Sequence, residues 1–456
     1  MGFIAKSIKG TQDLLPQDSY KTQYVEQSMR EIAQAYGYRE VRTPVFEQTN
    51  LFERGVGGTT DVVQKEMYTF TDKGGNSLTL RPEGTAGAAR AFLEHGLFNE
   101  PLPQKMYYFT SCYRHENPQA GRLREFHQFG IECFGTSSPA ADAEAIALAN
   151  SVFDYLGVTG LSIEINSIGC PECRKNYLAA LREYFSAHVD ELCETCRGRL
   201  ERNPMRILDC KSPVCSAIAK DAPTCIEYLC DDCREHFEKV KSYLDVLNIE
   251  YTVNPRIVRG LDYYTRTVFE FVSNQIGAQG TVCGGGRYDG LMEELGSDKK
   301  YPSLGFGLGI ERLLLLMQAQ NVPFPEPPTC DIFIGSIGEE ALMRAMAIAD
   351  TMRADGVSAE YDVVGRSVKA QMKYANKLKA KYTMILGEDE IKNGAAVLKN
   401  MSDGSTQEVK LDAIGDEFMS ILMNDSLKSL ENAAQAFGLG AEEDVAGSIL
   451  EGKNNG

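Results

Sequence analysis

The spacing of hydrophobic and polar positions predicts alternating helices and strands over the first part of the chain. Residues 18–35 carry apolar side chains at helical spacing, and Gly37 follows the last of them. Aromatic and β-branched residues over 105–113 and again over 125–134 predict two strands joined by a turn. Similar patterns predict strands at 38–41, 67–71, 77–80, 161–167 and 267–271 and helices at 142–155 and 172–192.

The second half of the chain contains a predicted domain boundary. Residues 303–317, SLGFGLGIERLLLLM, predict a glycine-rich strand that continues into an apolar helix. The segment PFPEPP at 323–328 is stiff and predicts a linker. Beyond it, a small α/β domain is predicted from strands at 330–337, 358–361, 382–386, 395–400 and 406–411 and helices at 339–355 and 368–379. The acidic, alanine-rich residues 427–456 predict a helix or a loose tail.

Length and composition indicate a globular protein of two or three domains. The chain has 456 residues, of which 43% are hydrophobic and 24% charged, values that argue against a disordered or fibrous protein. No apolar run approaches the roughly 18 residues that a membrane span needs, and the N-terminal residues lack the apolar core of a signal peptide. We therefore expect a cytoplasmic protein without membrane contact.

The net charge of −17 argues against indiscriminate binding of nucleic acids, because the averaged field would repel a polyphosphate. A nucleic-acid partner would need a local basic surface. Residues 366–381 supply one, since Arg366, Lys369, Lys373 and Lys377 have the spacing of one helical face. The alternative is an ordinary solvated face of a helix.

Nine of the thirteen cysteines lie between residues 170 and 233, which predicts an inserted module. A structural zinc site can be built from Cys193, Cys196, Cys210 and Cys215, and Cys230 with Cys233 could replace the second pair. Cys170 and Cys173 are poor partners for Cys193, because one helix over 172–192 would separate them by roughly 30 Å. Reduced thiols without a metal are the favoured interpretation, and zinc remains the alternative.

The turn between the two strands of the predicted hairpin is unusually rich in charge. It contains Arg114, His115, Glu116, Gln119, Arg122, Arg124 and Glu125. This density suits a polyanionic ligand, although a solvated hairpin tip would also carry charge.

Three other segments carry candidate chemistry. Glu83 stands beside Arg81 in RPEGT, which predicts either a structural ion pair or a site for an ammonium group. A polar cluster in RGLDYYT at 259–265 precedes the predicted strand TVFEF. Three glycines at 284–286 would allow a ligand to approach the backbone closely, and Arg312 at a strand–helix junction can reach an anion.

Taken in this order, these motifs resemble the class II aminoacyl-tRNA synthetases, and specifically the histidyl-tRNA synthetase family. The class signatures are the helix and strand that end at Pro44, the hairpin YRHENPQAGRLREFHQFGIE, and GFGLGIERL; those typical of the histidine family are RGLDYYTRTVFE and GGGRYDGL.

The resemblance implies an α+β fold with an antiparallel-sheet catalytic core. The core would comprise residues 1–168 and 251–322, and a cysteine-rich helical insertion would occupy 169–250. A linker at 323–328 would lead to an anticodon-binding α/β domain at 329–424, followed by a tail at 425–456.

The resemblance also implies a ligase that activates histidine with ATP and Mg²⁺ and transfers it to tRNA. Arg114, Arg259 and Arg312 match the family's catalytic arginines, while Arg122 and Phe126 match residues that contact ATP. Glu83, Thr85 and Gln128 fall where the family binds the α-ammonium group, with Arg114 and Arg259 at the carboxylate. Glu132, Tyr263 and Tyr264 fall where it binds the imidazole.

For tRNA, the resemblance implies contacts from Gln119 in the hairpin loop and from Arg366, Lys369 and Lys373 in the second domain. Asn117 departs from the family, where a basic residue is common, so a phosphate contact there is not expected. The resemblance further implies a homodimer. The alternative function is a regulatory paralogue in histidine biosynthesis, which should lack the anticodon domain or parts of RGLDYYT.

Overall fold

The computed structural model describes residues 5–436, apart from 59, 61, 209, 211, 258, 260 and 277–279, and it describes side chains as far as residue 428. Most of the predicted tail and Gly260 of RGLDYYT lie outside the described residues. The chain divides into two compact units between Pro325 and Glu326. Among the described residues, no helix is both long and apolar enough to cross a membrane.

An eight-stranded sheet forms the centre of the first unit, in the order β1-β5-β6-β11-β10-β9-β7-β8. Only the outer pairs β1–β5 and β7–β8 are parallel. A separate three-stranded sheet has the order β2-β4-β3. The strands are β1 (Arg39–Glu40), β2 (Phe46–Gln48), β3 (Tyr68–Thr71), β4 (Ser77–Leu80), β5 (Gln104–Tyr113), β6 (Glu125–Phe134), β7 (Ser162–Ser167), β8 (Thr252–Val253), β9 (Thr265–Val272), β10 (Thr281–Arg287) and β11 (Ser303–Gly309).

Helices pack against both faces of the large sheet, and one of these faces also carries the site. The helices of this unit are α1 (Pro16–Ala35), α2 (Thr49–Phe52), α3 (Thr85–Glu94), α4 (Pro139–Tyr155), α5 (Pro171–Ser186), α6 (Glu194–Arg202), α7 (Met205–Leu208), α8 (Pro213–Ala219), α9 (Asp231–Val246), α10 (Leu291–Glu294) and α11 (Ile310–Ala319). Short π turns span Glu53–Gly57 and Val62–Glu66, and 3₁₀ turns span Leu97–Asn99 and Cys225–Tyr228.

The main hydrophobic core lies between the sheet and helices α1, α4, α9 and α11. Phe129 and Ile131 of β6 project into it and pack in one cluster with Met29, Leu148 and Leu316. Because successive strand residues point to opposite faces, Gln128, Gly130 and Glu132 face the other side of the sheet. The register therefore divides β6 into a core face and a site face.

A buried ion pair anchors α4 to the end of β10. Arg287 is fully buried, and its guanidinium is paired with Asp142 of α4 and with Asp289. Its Nη1 also donates to the carbonyl of Thr136 at 2.6 Å. Arg287 therefore stabilises the core, whereas the next residue, Tyr288, belongs to the candidate active site described below.

The cysteine-rich module consists of α5 to α9 and departs from the sequence prediction in one respect. The predicted single helix over 172–192 is wrong in extent, because α5 ends at Ser186 and turns follow. Leu192 is buried in the same hydrophobic cluster as Leu181 and Phe185, so tertiary packing favours a turn over a continued helix.

The second unit is an α/β domain with a five-stranded sheet in the order β13-β12-β14-β15-β16. Its strands are β12 (Ile332–Ser336), β13 (Ala359–Tyr361), β14 (Tyr382–Leu386), β15 (Ala395–Asn400) and β16 (Thr406–Lys410), and its helices are α12 (Glu339–Ala354), α13 (Val368–Lys377), α14 (Glu388–Asn393) and α15 (Ile414–Ala436). Helix α15 runs through residue 425, where the sequence predicted a tail to begin, and the hydroxyl of Tyr382 donates to Asp425.

Candidate active site

Glycines on neighbouring strands form the floor of the site. Gly305, Gly307 and Gly309 alternate along β11, and Gly307 pairs with Gly130 on one side and with Gly284 on the other. A Cβ atom on Gly305 would lie 2.2 Å from Oε2 of Glu132, and one on Gly284 would lie 2.6 Å from the guanidinium of Arg259. These two side chains can lie against the sheet only because the strands beneath them carry no side chain.

Glu132 is a buried carboxyl group in the centre of this face. The hydroxyl of Tyr108 donates to its Oε1 at 2.8 Å, and the hydroxyl of Tyr288 donates to its Oε2. Burial raises the pKa of Glu132 to about 8, although hydrogen bonds from Tyr288, Thr85 and Tyr108 oppose the shift. The carboxyl group can thus exchange a proton or a hydrogen-bond partner near neutral pH.

Glu83 and Thr85 lie at the beginning of α3. The carboxylate of Glu83 accepts hydrogen bonds from the backbone N–H groups of Thr85 at 2.7 Å and Ala86 at 2.8 Å. Burial nevertheless raises the pKa of Glu83. Arg81 instead donates to the backbone carbonyls of Thr43, Pro44 and Ser111, so the two side chains do not form the ion pair that was one of the two interpretations.

The RGLDYYT segment brings two tyrosines and an arginine to the same pocket. The rings of Tyr263 and Tyr264 have centroids 4.7 Å apart, and Tyr263 also meets the ring of Tyr288 at 5.4 Å. The guanidinium of Arg259 lies 5.7 Å from the ring centre of Tyr264 and is paired with Glu270. Although burial opposes the charge of Arg259, Glu270 raises its pKa.

Four arginines converge on a cavity of about 160 Å³ beside this pocket. It is lined by Arg114, Arg122, Phe126, Gln128, Arg259 and Arg312, together with Glu116, Glu311 and the glycines of β10 and β11. The pKa of Arg312 is lowered, first by burial and then by the charges of Arg114, Arg122 and Arg259. Such mutual repulsion among partly buried cations indicates a site for an anionic ligand.

Each of these arginines is held by a specific contact. Arg114 donates from Nε to the carbonyl of Pro82 at 2.9 Å and stacks 5.3 Å above the ring of Phe126. Arg122 is paired with Glu116. Arg312 donates from Nε to the carbonyl of Gly121 at 3.0 Å. The bond from Arg312 to Gly121 connects the hairpin loop to the beginning of α11.

The hairpin loop closes on itself between Gln119 and Arg122. The N–H of Gln119 donates to the carbonyl of Arg122 at 3.0 Å, and the reverse bond is 2.9 Å. Gly121 has a φ of +69°, a conformation that glycine adopts without strain. Gln119 is exposed in this loop, and its backbone partner Arg122 lines the arginine cavity.

In the second unit, the predicted cationic helical face is only partly correct. Lys369, Lys373 and Lys377 are exposed on α13. Arg366 precedes the helix, forms an ion pair with Asp362, and stacks 4.2 Å above the ring of Tyr374. The prediction that Arg366 lies on the helical face is therefore wrong, because the Ser367 cap starts the helix after it.

Three residues of the site were missed by sequence reasoning. Tyr108 and Tyr288 hold Glu132, and Glu270 holds Arg259. Strand parity could have indicated Tyr108, because it pairs with Gly130 on the face that carries Gln128 and Glu132. The contact of Tyr288 with Glu132 depends on the pairing of strands far apart in sequence.

Comparisons with known proteins agree with this architecture. A family model described as histidyl-tRNA synthetase matches residues 10–313, and one described as an anticodon-binding domain matches residues 331–420. A histidine–tRNA ligase of Clostridium novyi is 57% identical over 91% of this chain and 98% of its own length. A histidine–tRNA ligase of Caldanaerobacter subterraneus is 54% identical over 90% of this chain and 98% of its own length. The crystal structure of apo histidyl-tRNA synthetase from S. aureus superposes with a TM-score of 0.78 at 38% identity, covering 91% of this chain and all of that one.

The fold and these similarities define a class II aminoacyl-tRNA synthetase and confirm the predicted α+β architecture. Within that class, the chain belongs to the histidyl-tRNA synthetase family. The predicted assignment as a histidine–tRNA ligase is confirmed, and it is favoured over the regulatory paralogue.

Proposed function

We propose that this chain joins histidine to ATP as histidyl adenylate and then transfers the histidyl group to the 3′ end of tRNA(His). The observation that carries the proposal is a buried carboxyl group, Glu132, on the same sheet face as four converging arginines. A pocket for an imidazole thus adjoins a cavity for a polyphosphate.

Glu132 and Tyr264 would recognise the imidazole ring, with Tyr263 lining the pocket. An imidazole N–H could donate to the carboxylate of Glu132, which tyrosine hydroxyls already hold from two sides. An amino acid of similar size without such a donor would leave this buried carboxylate partly unpaired and would be rejected. Glu83, Thr85 and Gln128 would hold the α-ammonium group.

The first step is a substitution at the α-phosphorus of ATP. A carboxylate oxygen of histidine attacks, the new bond forms an acyl phosphate, and pyrophosphate leaves with the electrons of the broken P–O bond. Arg114 and Arg259 would neutralise the carboxylate and the α-phosphate, since guanidinium groups remain charged and bind in a bidentate manner. Arg122 and Arg312 would hold the outer phosphates and the nucleotide, and Phe126 would stack on the adenine.

Mg²⁺ would accompany ATP in this reaction and offset charge on the phosphates. The carboxylates of Glu116 and Glu311 line the cavity and are donors of the oxygen type that Mg²⁺ prefers. They fit the ion, and they would hold it together with phosphate oxygens.

In the second step, the terminal ribose hydroxyl of tRNA would attack the acyl carbon and release AMP. We propose that Gln119 contacts the acceptor end, because it is exposed in the hairpin loop and its backbone partner Arg122 lines the cavity. Lys369 and Lys373, exposed on α13, together with Arg366 would contact the anticodon region. An overall charge of −17 makes such local basic surfaces necessary.

We propose a catalytic core of residues 1–168 and 251–322, an insertion at 169–250, a linker at 323–328 and an anticodon-binding domain from 329. We also propose that the chain acts in the cytoplasm as a homodimer. Support for the dimer comes from exposed apolar side chains on and beside the small sheet, where Phe46 and Phe70 have ring centres 6.3 Å apart.

Histidine-dependent exchange of pyrophosphate into ATP tests the first step. The wild-type protein should catalyse it, and Arg259→Ala should lower kcat by about 10²–10³-fold, because one buried cation at the reacting phosphate is lost. Arg344→Ala is the matched control, since this arginine lies in the second unit and pairs with the exposed Asp412. It should exchange at the wild-type rate. Absence of exchange by the wild type would contradict the proposal.

A further inference from the structure

The thirteen cysteines include two groups of four whose sulfur atoms lie close together. The first quartet consists of Cys170, Cys173, Cys230 and Cys233, and the second quartet of Cys193, Cys196, Cys210 and Cys215. In each quartet, all four sulfurs lie within 4.8 Å of one another. The second quartet is the set that the sequence indicated. In the first quartet, Cys230 and Cys233 lie with Cys170 and Cys173. The alternative in which they join Cys193 and Cys196 is therefore wrong.

The distances suit a shared metal ion better than disulfide bonds. A tetrahedral zinc ion with Zn–S bonds of about 2.3 Å places its sulfurs about 3.8 Å apart. Cys170 and Cys173 have sulfurs 3.5 Å apart, Cys170 and Cys230 4.0 Å, and Cys193 and Cys210 3.9 Å. A disulfide needs about 2.05 Å and joins two sulfurs, not four.

The surrounding backbone favours thiolates. The N–H of Cys230 donates to the sulfur of Cys173 at 3.1 Å, and the N–H of Cys193 donates to the sulfur of Cys215 at 3.2 Å. Cys170, Cys193 and Cys230 each immediately precede a helix, so its positive N-terminal end stabilises sulfur charge. Hydrogen bonds of this kind stabilise the charge of metal-bound thiolates.

We propose that each quartet binds one Zn²⁺ ion through four thiolates. Binding releases the thiol protons and supplies folding free energy to the module. The first site joins the beginnings of α5 and α9, which lie 57 residues or more apart in the chain. The second site joins α6 and α8.

The first site also supports the pocket that we assign to histidine. Arg174 follows Cys173 directly and donates to the backbone carbonyls of Asp262 and Tyr264. The N–H of Arg266 donates to the carbonyl of Gly169, the residue before Cys170, at 2.9 Å. Zinc at the first quartet would thereby fix the RGLDYYT segment, a consequence that rests on the proposed function.

Metal content of the full chain tests the proposal directly. The protein, incubated with excess Zn²⁺ and freed of unbound metal, should contain two zinc ions per chain by elemental analysis and native mass spectrometry. Cys173→Ser and Cys196→Ser should each lower the content to one. Cys225→Ala is the matched control, because Cys225 is a buried cysteine of the same module outside both quartets, and it should retain two.

The reactivity of the thiols in the wild type tests the proposal even if the variants fail to fold. In the zinc-loaded wild type, the quartet thiols should resist a thiol reagent until a chelator is added. A wild type that retains no zinc, or whose quartet thiols react equally with and without the chelator, would overturn the proposal. Neither readout depends on catalysis, so the proposed function can fail without affecting this result.

The KM for histidine tests whether the first quartet supports the histidine pocket. Cys173→Ser should raise KM for histidine by about tenfold with KM for ATP unchanged, because misplacement by a fraction of an ångström weakens precise contacts. Equal KM values for histidine in Cys173→Ser and Cys196→Ser would contradict a specific role of the first site.

Discussion

At the scale of single residues, Glu132 connects buried charge to selection of a substrate. Its carboxyl group is fully buried and receives hydrogen bonds from Tyr108 and Tyr288. The sequence indicated Glu132 only through resemblance to a family. Alternation along β5 could have indicated Tyr108, but Tyr288 could not be predicted, because its contact depends on the register of strands distant in the chain.

Replacing Glu132 by Gln should reduce kcat/KM for histidine by at least about 10²-fold, since an amide cannot give up a proton and become a charged acceptor for the imidazole N–H. Histidine-dependent pyrophosphate exchange measures the loss. Glu100→Gln, an exposed substitution of the same kind, should have no effect. Full retention of histidine use by Glu132→Gln would contradict the role of Glu132.

The pH dependence of unfolding examines the same carboxyl group without substrate. Its folded pKa of about 8 lies above the ordinary value of 4.5. The stabilisation by the protonated form is therefore complete below pH 4.5 and is lost as the pH rises through about 8. Between pH 5.5 and pH 8.5, denaturant unfolding should show a larger loss of stability for the wild type than for Glu132→Gln.

At the scale of elements, the strand and hairpin patterns were readable from the sequence. Strands predicted at 105–113 and 125–134 appear as Gln104–Tyr113 and Glu125–Phe134, because their aromatic and β-branched residues favour extended structure. The second cysteine quartet could also be predicted, but the end of α5 and the first cysteine quartet could not. Both depend on contacts between segments that are distant in the chain.

The glycine floor yields a prediction for strand β11. Gly305→Ala should destabilise the protein by about 1–3 kcal/mol, because its Cβ would lie 2.3 Å from the carbonyl of Ile131 as well as against Glu132. Gly290→Ala is the control, since a Cβ there meets nothing within 4 Å. Chemical denaturation compares the two, and equal stability would contradict the tight packing of the floor.

At the scale of the whole molecule, a strongly acidic chain contains two local groups of cations. The arginine cavity lies in the first unit, and the exposed lysines of α13 lie in the second. Composition alone gave only the net charge of −17 and argued against non-specific RNA binding. The lysines of α13 are close in sequence and could be predicted, whereas the arginine cavity forms only when folding brings separated residues together.

The central claim, transfer of histidine to a cognate tRNA, is tested most directly by aminoacylation. The purified chain, ATP, Mg²⁺ and labelled histidine are incubated with a tRNA(His) transcript and, in parallel, with a tRNA of another specificity. We predict ATP-dependent accumulation of acid-precipitable label on tRNA(His) alone. No charging of tRNA(His) by a protein that forms the adenylate would contradict the account, as would equal charging of both tRNAs.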